Sequence, residues 1–394
     1  MLQAEREENL SRNSFSRIFD SNKLSGFNKL SNYEIKNFVL RHRLELFFYK
    51  NEIVDYLRPE LSIELKPYAI KETLNSLHLK DLTIEISKLL DLEKINYLII
   101  KGIPLSYKTL NFKSSRGRGD LDILVDKSQI LKCINILESN SFELFYTSIP
   151  RNFKSKRAKY CLWANYEASL IRKSDKGFQC IDLHWDLSYV RDNLPTFQDC
   201  WENRNESLIA NYSVKNLSLK HEFLLACAHS AKDKWMSIRN LLDIDRLARL
   251  IDEKDIIIEN KSRTLSMSAL VTYDLSKGEY LKKYQTSGVL SRIYCNSVSS
   301  YFIKIESKSL SDKGWTPLSR LFDILHRLLL TNNAEDWLKI ILSNLVTPQS
   351  IVNSKTRNIN SFYKIFSNRI SSLKNSLTNY LLKKIRNLLS LFKN

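Results

Sequence analysis

The stretch GDLDILVDKS, residues 119–128, places Asp120 and Asp122 two positions apart at the start of an apolar run that reads as a buried strand. Side chains alternate along a strand, so both carboxylates take one face while Leu121 and Ile123 take the other. Acids so placed repel one another, and their burial is costly unless a cation or a set of donors faces them. A fold built around this strand must therefore bring positive charge to its polar face. Mg2+ answers that need, because it prefers carboxylate oxygens, usually one or two of them together with phosphate oxygens.

A third acid stands in QCIDLHWDL, residues 179–187, where Asp182, His184 and Asp186 alternate with Ile181, Leu183 and Trp185. If this strand lies beside the first, Asp182 joins the cluster, and three convergent carboxylates can hold two metal ions about 3.5 to 4 Å apart. His184 reads first as a satisfied core histidine. Cys180, Asp182, His184 and Asp186 on one face also raise the question of zinc, but consecutive alternate strand positions spread too far to close around one ion.

Upstream, INYLIIKG (95–102) is a second short apolar run, ending at Gly102. A glycine at a strand-to-helix turn lets the backbone approach a ligand, and the next helix offers free N–H groups to an anion. Pro104 suits the first turn of a helix running to about Leu110, and Lys101, Arg116 and Arg118 add charge for phosphate oxygens. The run after Asp126 has helical spacing at Leu131, Ile134 and Leu137, with Ser128 as its expected N-cap. A β-rich stretch is expected from KYCLWANYEASLIRK through a hairpin turn at SDKG (174–177) into FQCIDLHWDL.

Helical spacing marks residues 28–93 before this core and about 216–345 after it. The expected organisation is a helical lead-in over 1–94, a core over 95–215, a helical domain over 216–346, and a linker with a basic amphipathic helix over 347–394. In the helical part, Lys234 is a candidate ligand contact, with Asp243 beside it. Near the end, Phe362, Phe366, Ile370, Leu373, Leu377 and Leu381 form an apolar stripe among lysines and arginines. Such a helix over residues 360–393 suits an anionic membrane surface or a partner helix, docking on its own protein is the alternative, and nucleic acid is a lesser option.

The formal net charge of +18 is uneven, since no acid follows Asp336. A moderately basic core fits a phosphate-rich ligand without requiring nucleic acid. The six cysteines include no CxxC pair, which suits reduced thiols. No apolar stretch approaches the roughly 20 residues of a membrane span, and the start shows no secretory pattern, so a cytoplasmic protein is expected, peripheral to a membrane if the tail binds one.

The combination of Ile100-Lys101-Gly102-Ile103-Pro104-Leu105, the run from Arg116 or Arg118 through Asp120 to Val125, and Ile181 to Trp185 resembles the nucleotidyltransferase superfamily that includes polymerase beta. More narrowly it is similar to a bacterial uncharacterised nucleotidyltransferase family, over about residues 35–255. The resemblance implies an α+β fold with a mixed β-sheet core, N-terminal helices and a C-terminal helical region. It implies a metal-dependent transferase in which Asp120, Asp122 and Asp182 bind Mg2+, two ions, and Gly102 lines the loop for a nucleoside triphosphate such as ATP. Asp182 or Asp120 would help activate the acceptor hydroxyl, and the acceptor is left open. The superfamily's Gly-Ser is Gly102-Ile103 here, so Ser106 is the expected substitute for the serine. A non-catalytic member acting as a binding or antitoxin-like regulatory component is the alternative.

Overall fold

A computed structural model describes residues 30–50, 58–110, 119–145, 155–174, 177–192, 194–251, 262–276, 281–282, 289–303 and 317–345. Arg116, Arg118 and the segment 347–394 lie outside these residues. The described residues are mixed α+β and fall into two compact units: 30–145 with 166–303, and 155–165 with 317–345. The first carries every described candidate residue.

Its lead-in is helical. Helix α1 (Asn32–Arg41) starts with a capping box in which Ser31 accepts from the Glu34 N–H and Glu34 returns a bond to Ser31. Helix α2 (Glu45–Lys50) follows, and then α3 (Pro59–Leu92) runs for 34 residues from a proline at its N-terminus. Ile35, Val39, Phe48, Leu61 and Leu65 bury one face of these helices in a common cluster, each contributing about 1.5 to 3 kcal/mol.

The sheet begins with β1 (Tyr97–Ile99), after which Lys101 and Gly102 turn the chain into α4 (Gly102–Leu110). Strand β2 (Leu121–Val125) pairs antiparallel with β1, and α5 (Ile130–Ser139) follows. The cap before α5 is not Ser128. Asp126 accepts from the Ser128 N–H at 2.8 Å and starts a 3-10 turn over Lys127–Gln129, so the α-helix begins at Ile130. Strand β3 (Glu143–Leu144) precedes α6 (Lys156–Ala164), which belongs to the second unit. The expected β-structure through KYCLWA is therefore wrong: Ser155 accepts from the Ala158 N–H, starting a helix that buries Ala158, Cys161 and Ala164 at every third position.

Strands β4 (Glu167–Ser174) and β5 (Gly177–His184) form the expected antiparallel pair, with Ser174 opposite Gly177. Helix α7 (Phe197–Glu202) leads to a hairpin the sequence reading did not include, β6 (Asn205–Ile209) with β7 (Tyr212–Asn216). The sheet has seven strands in the order β3-β4-β5-β2-β1-β7-β6, and it is mixed, because β2 pairs parallel with β5 and β1 parallel with β7. Helices α8 (Leu219–Lys232), α9 (Ile238–Leu250), α10 (Arg263–Ser276) and α11 (Val289–Ile303) complete the unit. The second unit adds α12 (Pro317–Leu329) and α13 (Ala334–Leu345), and the Tyr160 hydroxyl donates to the Leu342 carbonyl at 3.4 Å.

One sheet face carries Leu98, Ile100 and Leu124 into a cluster with Phe197, Leu217 and Leu225. Leu124 shares that face with Asp122, so along β2 the face is acidic where the strand starts and apolar farther on. All six cysteines are free thiols. Among the described residues, no helix is long and apolar enough to cross a membrane.

Candidate functional site

Parallel pairing of β2 with β5 sets Asp122 directly beside Asp182, and Leu124 beside His184. Residues in register on neighbouring strands share a face, so the acids of two separate stretches meet. Asp120, just ahead of β2, joins Cys180 and Asp182 in a group whose oxygen and sulfur atoms all lie within 4.8 Å of one another.

Asp122 has other neighbours. Its Oδ1 accepts from Lys101 Nζ at 2.9 Å and lies 2.9 Å from His184 Nε2. Burial alone would raise this carboxyl, but the Lys101 charge and then the His184 hydrogen bond outweigh it and hold Asp122 well below the usual carboxylate range. His184 is fully buried with a carboxylate on each side, its Nδ1 being 3.5 Å from Glu167. The expectation of a core histidine thus holds for its burial, while its partner is a site acid.

Asp182 differs. Ser169, directly opposite on β4, donates to its Oδ1 at 2.6 Å. Burial nonetheless pushes its pKa up to about 6, with the Asp122 charge adding to the rise. The Cys180 thiol is pushed far up by burial, then by the charges of Asp120 and Asp182, so it is a protonated neighbour and not a thiolate. Two carboxylates beside a thiol form a group that could hold a metal ion.

The turn between β1 and α4 is the second part of the site. Lys101 has φ 58° and Gly102 φ 49°, two successive left-handed residues that swing the chain from the sheet into α4, where Pro104 has no N–H and the Leu105 N–H donates to the Lys101 carbonyl at 3.4 Å, so the turn's remaining N–H groups are those of Gly102 and Ile103. Ser106 is buried and donates to the Gly102 carbonyl at 3.1 Å, a bond within α4 that the structure does not gather with the acids. Lys101 also borders a cavity of about 10 Å3 with Asn240 and Asp243, room for about one water. Lys234 ends α8 in a left-handed conformation, its N–H donating to the Ala231 carbonyl.

The lysine that approaches the acids from α8 is Lys232. Its Nζ bonds the Tyr166 hydroxyl and lies 3.8 Å from Glu167, to which that hydroxyl donates at 2.7 Å. Tyr166, Glu167, Ser169 and Lys232 were not singled out from the sequence. A signal existed for Ser169: counting back five positions on each strand from the Ser174–Gly177 turn sets it opposite Asp182. Nothing local marks Lys232.

Residues 36–270 match the model of a family described as "Uncharacterised nucleotidyltransferase". No curated protein matches the chain.

Proposed function

The chain belongs to the uncharacterised nucleotidyltransferase family, and on that premise we propose that it transfers a nucleoside monophosphate from a nucleoside triphosphate to an acceptor hydroxyl, releasing pyrophosphate. The observation that carries this reading is the meeting of Asp120 and Asp182, from separate strands, with ligand atoms inside 4.8 Å. These two residues would hold Mg2+, with Asp122 as a further ligand for a second ion. Bound there, Mg2+ would offset the mutual repulsion of the acids and neutralise charge on the phosphoryl oxygens.

The chain's own groups supply the rest. The N–H groups of Gly102 and Ile103 receive phosphate oxygens, and Lys101 stands beside them as a cation. Lys101 serves two anions in turn: it neutralises Asp122, and turning toward a triphosphate would release that carboxylate for a cation. His184 keeps Asp122 oriented through this exchange, and Glu167 holds His184 from the far side. Asp182, aligned by Ser169, accepts the proton of the attacking hydroxyl.

Incubation with α-labelled nucleoside triphosphates, Mg2+ and a cell extract tests the reading. Native protein transfers label, and Asp120→Ala protein does not. Equal labelling by the two would count against it.

A further inference from the structure

Asp120 and Cys180 stand on the wall of a cleft of about 340 Å3 that the transfer chemistry above does not use. Asn75, His78 and Leu82 on α3 line it, together with Phe178 and Gln179 at the start of β5, and Arg43 from the turn between α1 and α2 borders it. Neither Lys101 nor Gly102 does. The long lead-in helix is thus part of the site, although its sequence carries no chemical motif.

Sheet order says what the cleft is for. Across the sheet, β5 bears Cys180 and Asp182, β2 bears Asp120 and Asp122, and β1 leads into Lys101 and Gly102. If the triphosphate rests on the β1 turn, pyrophosphate departs on that side. Phosphoryl transfer runs in line, with the attacking oxygen opposite the leaving one. The attacking hydroxyl must then arrive from the β5 side, where this cleft lies.

The walls indicate the kind of molecule. Phe178 leaves 76% of its surface exposed, a flat apolar face against which a ring can stack. The Asn75 amide and His78 imidazole provide hydrogen-bonding groups, and Gln179 has its Oε1 held by Arg172 Nε at 2.8 Å, which fixes the amide end that donates. Among the described lining residues, Arg43 is the cation and Asp120 the carboxylate, and the reading above assigns Asp120 to the metal. A polycation finds no counter-charge there. The volume falls near the lower end of the range of about 300 to 1,000 Å3 for small-molecule sites.

We propose that this cleft is the acceptor subsite, and that it takes a small hydroxyl-bearing molecule, sugar- or nucleoside-sized, of neutral or anionic charge. The proposal rests on the nucleotidyl-transfer reading. In the step, the acceptor oxygen bonds to the α-phosphorus as the bond from that phosphorus to the β-bridging oxygen breaks. Pyrophosphate leaves with the electron pair, and the hydroxyl proton passes to Asp182 and on to solvent.

The test uses full-length protein, α-labelled ATP with Mg2+, and a cell extract as acceptor source, separated by ultrafiltration after the reaction into small molecules and macromolecules, with Mg·ATP binding measured separately by calorimetry. Gln179→Trp fills the cleft, and Phe178→Ala removes an exposed ring without touching the core. Both variants are expected to bind Mg·ATP like native protein, while label transfer falls about a hundredfold in the first and about tenfold in the second. Unchanged transfer in both variants overturns the proposal. So does loss of Mg·ATP binding in the variants, which would assign the cleft to the nucleotide, or label appearing only in macromolecules. Native protein that binds no Mg·ATP would remove the transfer reading itself, and the acceptor subsite with it.

Discussion

Two acidic clusters in the same unit behave in opposite ways. At the end of α3, Asp91 accepts from the Tyr97 hydroxyl at 3.1 Å, from the Tyr212 hydroxyl at 2.6 Å and from Lys215. Burial would raise its pKa, yet the bonds from Lys215 and Tyr212 prevail and it lies below its ordinary value. This acid is satisfied from within, and it ties α3 to β1 and β7. Asp182, by contrast, accepts from the Ser169 hydroxyl and has two acids for neighbours, and its pKa is up at about 6. A carboxylate given three donors is holding the fold together. A carboxylate set beside other acids with one hydroxyl is prepared for a cation that arrives from outside.

The largest test of this contrast is Asp120→Ala. Transfer should fall by about a thousandfold while the thermal midpoint of the metal-free protein scarcely moves, because the group that loses a bond is the Cys180 thiol, a weak donor. A large drop in the midpoint would place Asp120 with the structural acids and erase the distinction.

Stability against pH sharpens it next. His42 is buried, accepts from the Ile238 N–H at 3.4 Å, and is held down to about 4 from an ordinary 6.5 by burial and then by the Arg41 charge. Between those values the unfolded chain binds more protons than the folded one, so stability should fall as pH drops from about 6.5 to about 4, by up to about 3 kcal/mol. Asp182 works the other way: its pKa rises from 3.8 to about 6 on folding, so it takes stability away as pH rises through that window. Denaturant melts of His42→Gln should lose the first slope and those of Asp182→Asn the second. If neither variant changes the profile, the buried groups are not governing it.

Asp91→Asn should destabilise the protein by about 1 to 2 kcal/mol, after allowance for partial exposure, since two tyrosines and a lysine lose an anionic partner. Nucleotide binding by that variant should match native protein. The smallest effect belongs to Gly102→Ala. An added Cβ would meet only Leu79 Cδ2 at 4.0 Å, so its cost is the left-handed backbone, about 1 kcal/mol by denaturant unfolding. On the proposed reading phosphate affinity should suffer more than stability in this variant, because that reading has this turn receive the phosphates.

Much of the site is written locally. A period of two puts Asp120 and Asp122 on one side of a strand and Asp182 with His184 on one side of another, and the pairing of Ser174 with Gly177 sets Ser169 opposite Asp182. The strand-to-helix turn at Lys101-Gly102 follows from the end of an apolar run and a proline two residues on. The same local logic failed at KYCLWA, where alternating apolar residues suit either a strand or a helix and a serine cap decided between them. It also passed over the hairpin from Asn205 to Asn216, whose strands are short and largely polar.

From its own order of residues, then, the chain determines which acids share a face of a strand and where the backbone bends from strand to helix, and it sets the expectation that positive charge meets the carboxylates. Only the tertiary structure decided that β2 and β5 lie parallel and in register, that Lys101 neutralises Asp122 while Cys180 joins Asp120 and Asp182, and that α3 walls the adjoining cleft. The reason is distance along the chain. Alternation and turns act over a few residues, whereas these contacts join positions about 20 to 100 residues apart and depend on closing long loops around a common core.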